Sequence, residues 1–224
     1  MAKADAAAAL ALAPFLLRKA VDEKALLTDS RLQEVSSGFP RGAITEITGQ
    51  SSSGRTTILH SLIATATRQG EVCAMIDCDD TFDPATAARS GAELERILWV
   101  QCRHRVDHAM KAADMVLHAG GFGVVVLDLC DASVQQLQRI PISYWYRFQR
   151  AVENTSTVLL LAGRHPQART CAARQLDLGQ RKPVWKGQPP FQLLEGVDWH
   201  ATLRKPIEAA KSAHLRAVAV AVGE

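Results

Sequence analysis

The chain has 224 residues, 47% hydrophobic and 22% charged, with a net charge of only +3 at pH 7. That length and composition suit one ordinary globular α/β domain with a core able to stand alone. The five cysteines (Cys73, Cys78, Cys102, Cys130 and Cys171) are widely spaced beside apolar runs, which excludes a disulfide framework or a zinc pattern and reads as buried thiols in a reducing, cytoplasmic compartment.

In chain order, Ala6–Leu17 is a short apolar run after Lys3. Asp5 interrupts the charged region, and Arg18-Lys19 follows with no small-residue cleavage site, so neither a signal peptide nor a membrane span is expected. An alanine-rich amphipathic helix over Ala6–Leu27 is expected instead, with Pro14 in or near a break. Residues 1–28 read as an N-terminal arm, and residues 29–224 as a single domain with a basic C-terminal third. Ala43–Thr48 alternates apolar and polar residues, as a short strand does. Thr56–Gln69 reads as a helix with Ile58, Leu59, Leu62 and Ile63 on one side.

Between strand and helix lies Gly49-Gln50-Ser51-Ser52-Ser53-Gly54-Arg55-Thr56-Thr57. It meets the phosphate-binding pattern G-x-x-x-x-G-K-[ST] at every fixed position except the lysine, where Arg55 stands. A strand, a glycine-bounded loop and a helix bring backbone N–H groups and a helix N-terminus onto one phosphate. Gly49 and Gly54 permit the tight turn, and Thr56 supplies a hydroxyl for Mg²⁺. Arginine keeps the charge of lysine but is longer, planar and forked, so the exchange is not conservative. Two outcomes stay open: binding with slow hydrolysis, or lost binding. The competing reading is a Ser/Gly-rich turn that binds nothing.

Glu71–Asp77 is a second apolar run, followed by Pro84–Ser90 as a short helix and Ile97–Cys102 as a strand. Val106–His118 is helical by its spacing, and Gly120-Gly121 stops it. Phe122–Asp128 is a buried strand ending in an acid, as suits a carboxylate that orients Mg²⁺. Ile142–Asn154 is a helix rich in aromatics (Tyr144, Trp145, Tyr146 and Phe148), which suit either base stacking or a core. Thr157–Ala162 is another strand, ending in Gly163-Arg164. Gly179–Pro190 reads as an exposed excursion containing Trp185, and Phe191–Arg204 as a hairpin partner. The tail Ala209–Glu224 opens helix-like and closes on an apolar run that suits a last strand. His104 and His108 are four apart, but no third ligand accompanies them. His60 reads as a packing or surface residue.

Gly38-Phe39-Pro40-Arg41-Gly42, the strand to Gly49, the loop, Cys73–Asp77 and Asp83-Pro84 run in the order and spacing of bacterial RecA recombinases. The resemblance covers roughly residues 25–162. It implies a RecA-like P-loop NTPase core, mostly parallel, with helices on both faces. ATP and Mg²⁺ are the implied cofactors. Gly49, Ser51, Ser52, Ser53, Gly54, Arg55, Thr56, Thr57, Asp83 and Asp128 would hold nucleotide, with Thr56 and Asp128 at the metal. Asp79 stands where the family has the glutamate that activates water, and is one methylene shorter. Thr86 replaces an aromatic expected near the adenine, and Gly163-Arg164 replaces a glutamine that senses the γ-phosphate.

These departures, with a chain too short for a further C-terminal domain, resemble the RecA-like accessory proteins encoded with error-prone polymerases, the ImuA group. That resemblance implies a damage-tolerance (SOS, translesion) accessory role through contacts with RecA, its own copies, a mutagenic polymerase or single-stranded DNA. The alternative is a compact DNA-dependent ATPase that forms filaments and exchanges strands; a third is a nucleotide-free scaffold. The N-terminal helix is the implied docking element. From Arg164 to Glu224 ten Lys/Arg face five acids, so this third suits either phosphate contact or a solvated surface, with Arg181 and Lys182 foremost. Arg204 and Lys205 are the candidates for reaching a neighbouring subunit's nucleotide, or are two exposed basic residues after a strand.

Overall fold

The computed structural model describes residues 25–26, 38–179, 182–205 and 211–218. Six strands form a parallel array: β3 (Ala43–Gly49), β4 (Cys73–Asp77), β5 (Ile97–Gln101), β6 (Val124–Asp128), β7 (Val158–Gly163) and β8 (Ala172–Leu178). Their spatial order is β8-β3-β7-β6-β4-β5. Beyond β8 the sheet turns antiparallel through β10 (Leu193–Lys205) and β11 (Lys211–Val218). The ninth strand, β9 (Lys182–Lys186), pairs with the N-terminal half of β10. A small separate ladder joins β1 (Ala25–Leu26) to β2 (Phe39–Pro40).

Side chains alternate across the parallel strands, and each face buries its own core. On one face Ile47, Met75, Val126 and Leu160 pack with Ile58, Leu62 and Ile63 of α1 (Arg55–Arg68), and with Leu26 and Phe39. On the other, Ile44, Ile76, Leu127 and Leu161 meet Ala113 and Leu117 of α3 (Val106–Ala119), and Trp145 and Phe148 of α5 (Ile142–Val152). Two short helices complete the set: α2 (Pro84–Arg89) beside α1, and α4 (Val134–Gln138) beside α3. Strands buried on both faces read as near-continuous apolar runs, as Val124–Leu127 and Val158–Ala162 do. The expected α/β fold, mostly parallel with helices on both faces, is the fold observed.

Some local expectations are corrected. Ala25–Leu26 is strand rather than the end of a helix, and Leu26 is fully buried, so the domain's core begins before residue 29. The rest of the expected N-terminal helix lies outside the described residues. Of the aromatics on α5, Trp145 and Phe148 pack in the core as one of the two readings had it, while Tyr146 is exposed. The expected excursion at 179–190 contains β9, and the tail is strand, not helix, from Lys211. Ala172–Leu178 had no assigned element, yet β8 is the strand flanking the glycine-rich loop.

The amino end of the sheet is closed by a buried ion pair. Arg41 donates to Glu71 at 2.6 Å and to the Ser156 carbonyl at 2.7 Å, both charged side chains being about 95% buried. Gly123 leaves the room for it: a Cβ there would lie 1.7 Å from Glu71 Oε2.

Candidate functional site

The loop Gly49–Thr57 leaves β3 at the carboxyl end of the sheet and enters α1 at Arg55. The Ser53 N–H donates to the Gln50 carbonyl at 3.1 Å, closing the turn. Ser52 and Gly54 take left-handed φ values of 63° and 98°, a conformation glycine adopts without a steric penalty. Gly49 is required by a close approach: a Cβ there would stand 2.5 Å from Ser53 Oγ and 2.7 Å from the Leu178 carbonyl. No side chain caps α1, so its first turn presents amide donors at the loop.

Two buried groups in this loop lack hydrogen-bond partners: Ser53 Oγ and Arg55 Nη1. Arg55 is 9% exposed and lines a cavity of about 110 Å³ with Thr56, His60, Phe82, Asp128 and Cys130. A buried donor without a partner costs about 1–3 kcal/mol, more when charged. Such a cost is recovered when an anion enters.

Asp128 ends β6 beside Asp77 on β4, and its Oδ1 accepts from the Cys130 N–H at 2.9 Å. Burial pushes its carboxyl above the ordinary range; Cys130 and the Arg55 charge oppose the rise, and Asp77 adds to it. Asp77, assigned no role from sequence, is fully buried and accepts from the N–H groups of Thr81 and Phe82, at 3.1 and 2.8 Å, and from Trp99 Nε1 at 3.3 Å. It shapes the loop that carries Asp79 and Phe82.

Asp79 does not line the cavity with Arg55 and Asp128. Its Oδ1 lies 3.4 Å from His104 Nδ1, and its Oδ2 accepts from the Asp131 N–H at 3.2 Å. Asp131 in turn pairs with Arg164 at 2.7 Å, and Arg164 also donates to the Cys130 carbonyl at 3.0 Å. The loops after β4, β5, β6 and β7 are thus cross-linked through Asp79, His104, Asp131 and Arg164. Burial raises the Asp79 carboxyl, against the hydrogen bonds from His104 and Asp131.

Asp83 caps α2, accepting from the N–H groups of Ala85 and Thr86, each at 3.1 Å, and from the Thr86 hydroxyl. The Thr86 hydroxyl bond is the leading cause holding this exposed carboxylate below its usual range. Thr86 therefore serves the cap rather than offering a stacking face. His60 stands edge-on to Phe82 at 5.7 Å, and Phe82 to Trp99 at 5.5 Å, so His60 is part of the cavity wall. Burial lowers its pKa and favours the neutral ring.

A second cleft of about 330 Å³ opens on the other side of the loop, between Thr48, Gln50, Arg164, His165, Asp177 and Arg204. Arg204 pairs with Asp177 at 2.6 Å, and Lys205 donates to the Arg169 carbonyl, so both are engaged within the domain. Lys182 and Trp185 are exposed on β9, with Phe191 exposed just before β10; Arg181 lies outside the described residues. The cysteines are free; all but the half-buried Cys130 are buried. Among the described residues no group of three or more His, Cys, Asp or Glu side chains forms a metal site, and no helix is long and apolar enough to cross a membrane.

The sheet order, the glycine-bounded loop at its carboxyl end and the acid on the neighbouring strand define an α/β P-loop domain. The family model for the RecA N-terminal domain matches residues 21–138, more than half of the chain. The chain belongs to the RecA N-terminal domain family, whose members generally bind nucleotide. It is similar to Protein RecA of Chloroflexus aurantiacus, 37% identical over 101 residues, covering 45% of this chain and 28% of that protein. Protein RecA of Rickettsia massiliae is 34% identical over 120 residues, covering 52% and 35%. Protein RecA of Chlorobaculum parvum is 35% identical over 101 residues, covering 45% and 29%. The matches thus span about a third of the relatives' length.

Proposed function

We propose that this protein is a RecA-related accessory factor of DNA damage tolerance, which holds a nucleoside polyphosphate at the Gly49–Thr57 loop and turns it over slowly or not at all. The observation that carries this reading is the pairing of an open phosphate cradle with a preoccupied carboxylate. Ser53 Oγ and Arg55 Nη1 are buried and unpartnered, and Gly49 lets the loop close tightly against Ser53 and the Leu178 carbonyl. These residues fit a phosphate chain. Asp79, in the position of the water-activating acid, is tied to His104 and to the Asp131 N–H. A general base held away from the phosphate site loses most of its effect, because proton transfer requires hydrogen-bond reach.

ATP is the expected nucleotide, with Gly49–Thr57 at its phosphates; bound there, it would supply a ligand-dependent change in the loops rather than rapid chemistry. Asp83 and Thr86 form the α2 cap, which supports weak base recognition. The resemblance to accessory proteins encoded with error-prone polymerases supports a role through contact with RecA, a mutagenic polymerase or single-stranded DNA. The apolar positions Leu10, Leu12, Phe15, Leu16 and Leu17 supply the proposed docking surface.

The test is equilibrium ATP binding together with steady-state hydrolysis, with and without single-stranded DNA. Binding with turnover far below that of a recombinase is expected; a DNA-stimulated rate matching a recombinase refutes the accessory reading. For the arm, Phe15→Asp should weaken pull-down of RecA or of a second copy. Any truncation must stop before Ala25, since Leu26 is core. Full retention of every partner after removal of residues 1–24 rejects the docking role.

A further inference from the structure

The residues of the loop fit a phosphate chain better than they fit a chelated divalent cation. Arg55 carries the positive charge into the cavity it shares with Thr56 and Asp128. Asp128, the acid expected to orient a metal, lines that same cavity. That carboxylate also accepts from the Cys130 N–H. Mg²⁺ demands near-octahedral oxygen ligands and dehydrates reluctantly, so a fixed cation beside its carboxylate opposes it. A guanidinium, by contrast, presents five donors in a fork matched to phosphate oxygens. Arg55 Nη1 is buried without a partner, and Ser53 Oγ, two residues earlier in the loop, is likewise unpartnered. Both observations are independent of the helix N-terminus to which they add.

We infer that the Arg55 guanidinium takes the place of the divalent cation at this loop, so that nucleoside polyphosphates bind through their phosphate chain without requiring Mg²⁺. The inference rests on the nucleotide-binding reading above and concerns how the charge of the ligand is balanced. A lysine at this position would be a compact point charge, leaving a metal to share the phosphate oxygens. The larger planar cation spans more of them. The cavity that Arg55 lines, at about 110 Å³, has room for a phosphate group. Recognition is therefore centred on phosphate.

The experiment is titration of the full chain with fluorescent ADP, in EDTA and in excess Mg²⁺, with inorganic pyrophosphate as competitor. Wild type should bind with Kd values within about threefold in the two conditions, and pyrophosphate should displace the nucleotide in EDTA. Arg55→Lys should acquire a metal requirement, binding about tenfold or more tightly with Mg²⁺. Arg55→Met, checked for folding by its thermal melt, should lose binding in both conditions. A tenfold tightening of wild type by Mg²⁺, retained binding by Arg55→Met in EDTA, or failure of pyrophosphate to compete overturns the inference while leaving nucleotide binding in place. Absence of wild-type binding in both conditions overturns the nucleotide reading itself, and this inference with it.

Discussion

Two arginines are buried at opposite ends of the same strand, and they differ in what meets them. Arg41, before β3, spends both terminal nitrogens on Glu71 and the Ser156 carbonyl, with only its Nε left unpartnered. Arg55, after β3, has an Nη1 that meets nothing. The first seals the end of the sheet where the strands begin; the second leaves an unmet donor where they finish. The residue type is the same and both side chains are largely buried, so neither property distinguishes structure from function. The ion pair does, because Arg41 is bonded to a carboxylate and Arg55 makes no such pair, and a folded chain retains an unmet buried charge only against a cost.

The contrast is open to attack at the sealed end first. Glu71→Ala leaves Arg41 buried with its charge uncompensated, and should lower stability by about 3–5 kcal/mol in denaturant unfolding. Leu26→Ala, beneath the same end of the sheet, should cost about 2–5 kcal/mol, since the side chain is wholly buried. At the open end the expectation reverses. Arg55→Met removes an unmet charge and should leave the melting temperature unchanged or raised, even as phosphate binding is lost. A destabilisation equal to that of Glu71→Ala would erase the distinction between the two ends.

The smallest effect lies between them. Glu46, in the middle of β3, is buried; its Oε1 accepts from the Ala168 N–H at 3.1 Å and from the Gln167 N–H, while Oε2 has no partner. Burial raises its pKa above the ordinary 4.5, against those hydrogen bonds and the charge of Lys205. The folded state therefore holds this proton more tightly than the unfolded state. Its contribution is fully present below the unfolded value and is lost as pH rises through the folded one. Glu46→Gln should match wild type in acid and gain a growing advantage as pH is raised through that range, followed by thermal melts. An unchanging difference between the two would show that Glu46 does not titrate in the folded state.

Much of the parallel half of the sheet was legible because its strands are buried on both faces, leaving runs such as Val124–Leu127 with few alternatives. The loop was legible because glycine spacing encodes it locally. By contrast β8 mixes Arg174, Gln175 and Asp177 with its apolar residues, and is strand because β3 and β10 flank it. Lys182–Lys186 contains a proline and ends in charges, so only its ladder with β10 makes it strand. The α4 helix had a usable signal that went unread: Ser133 and Gln136 form a reciprocal capping box. At the site, Asp79 was legible by position, but its bond to His104, from the loop after another strand, depends on the fold. Arg55 was visible as a substitution; that its Nη1 would be buried and unmet required the packing around it.

The space beneath Gly123 orders the steps by which this domain can change over generations. A side chain at position 123 collides with Glu71 as it now lies, so even an alanine is barred until that glutamate has gone or moved. Loss of Glu71 strands Arg41, and loss of Arg41 strands Glu71. Positions 41, 71 and 123, distant along the chain, are therefore coupled: a change at any one of them alone disrupts the arrangement the other two hold.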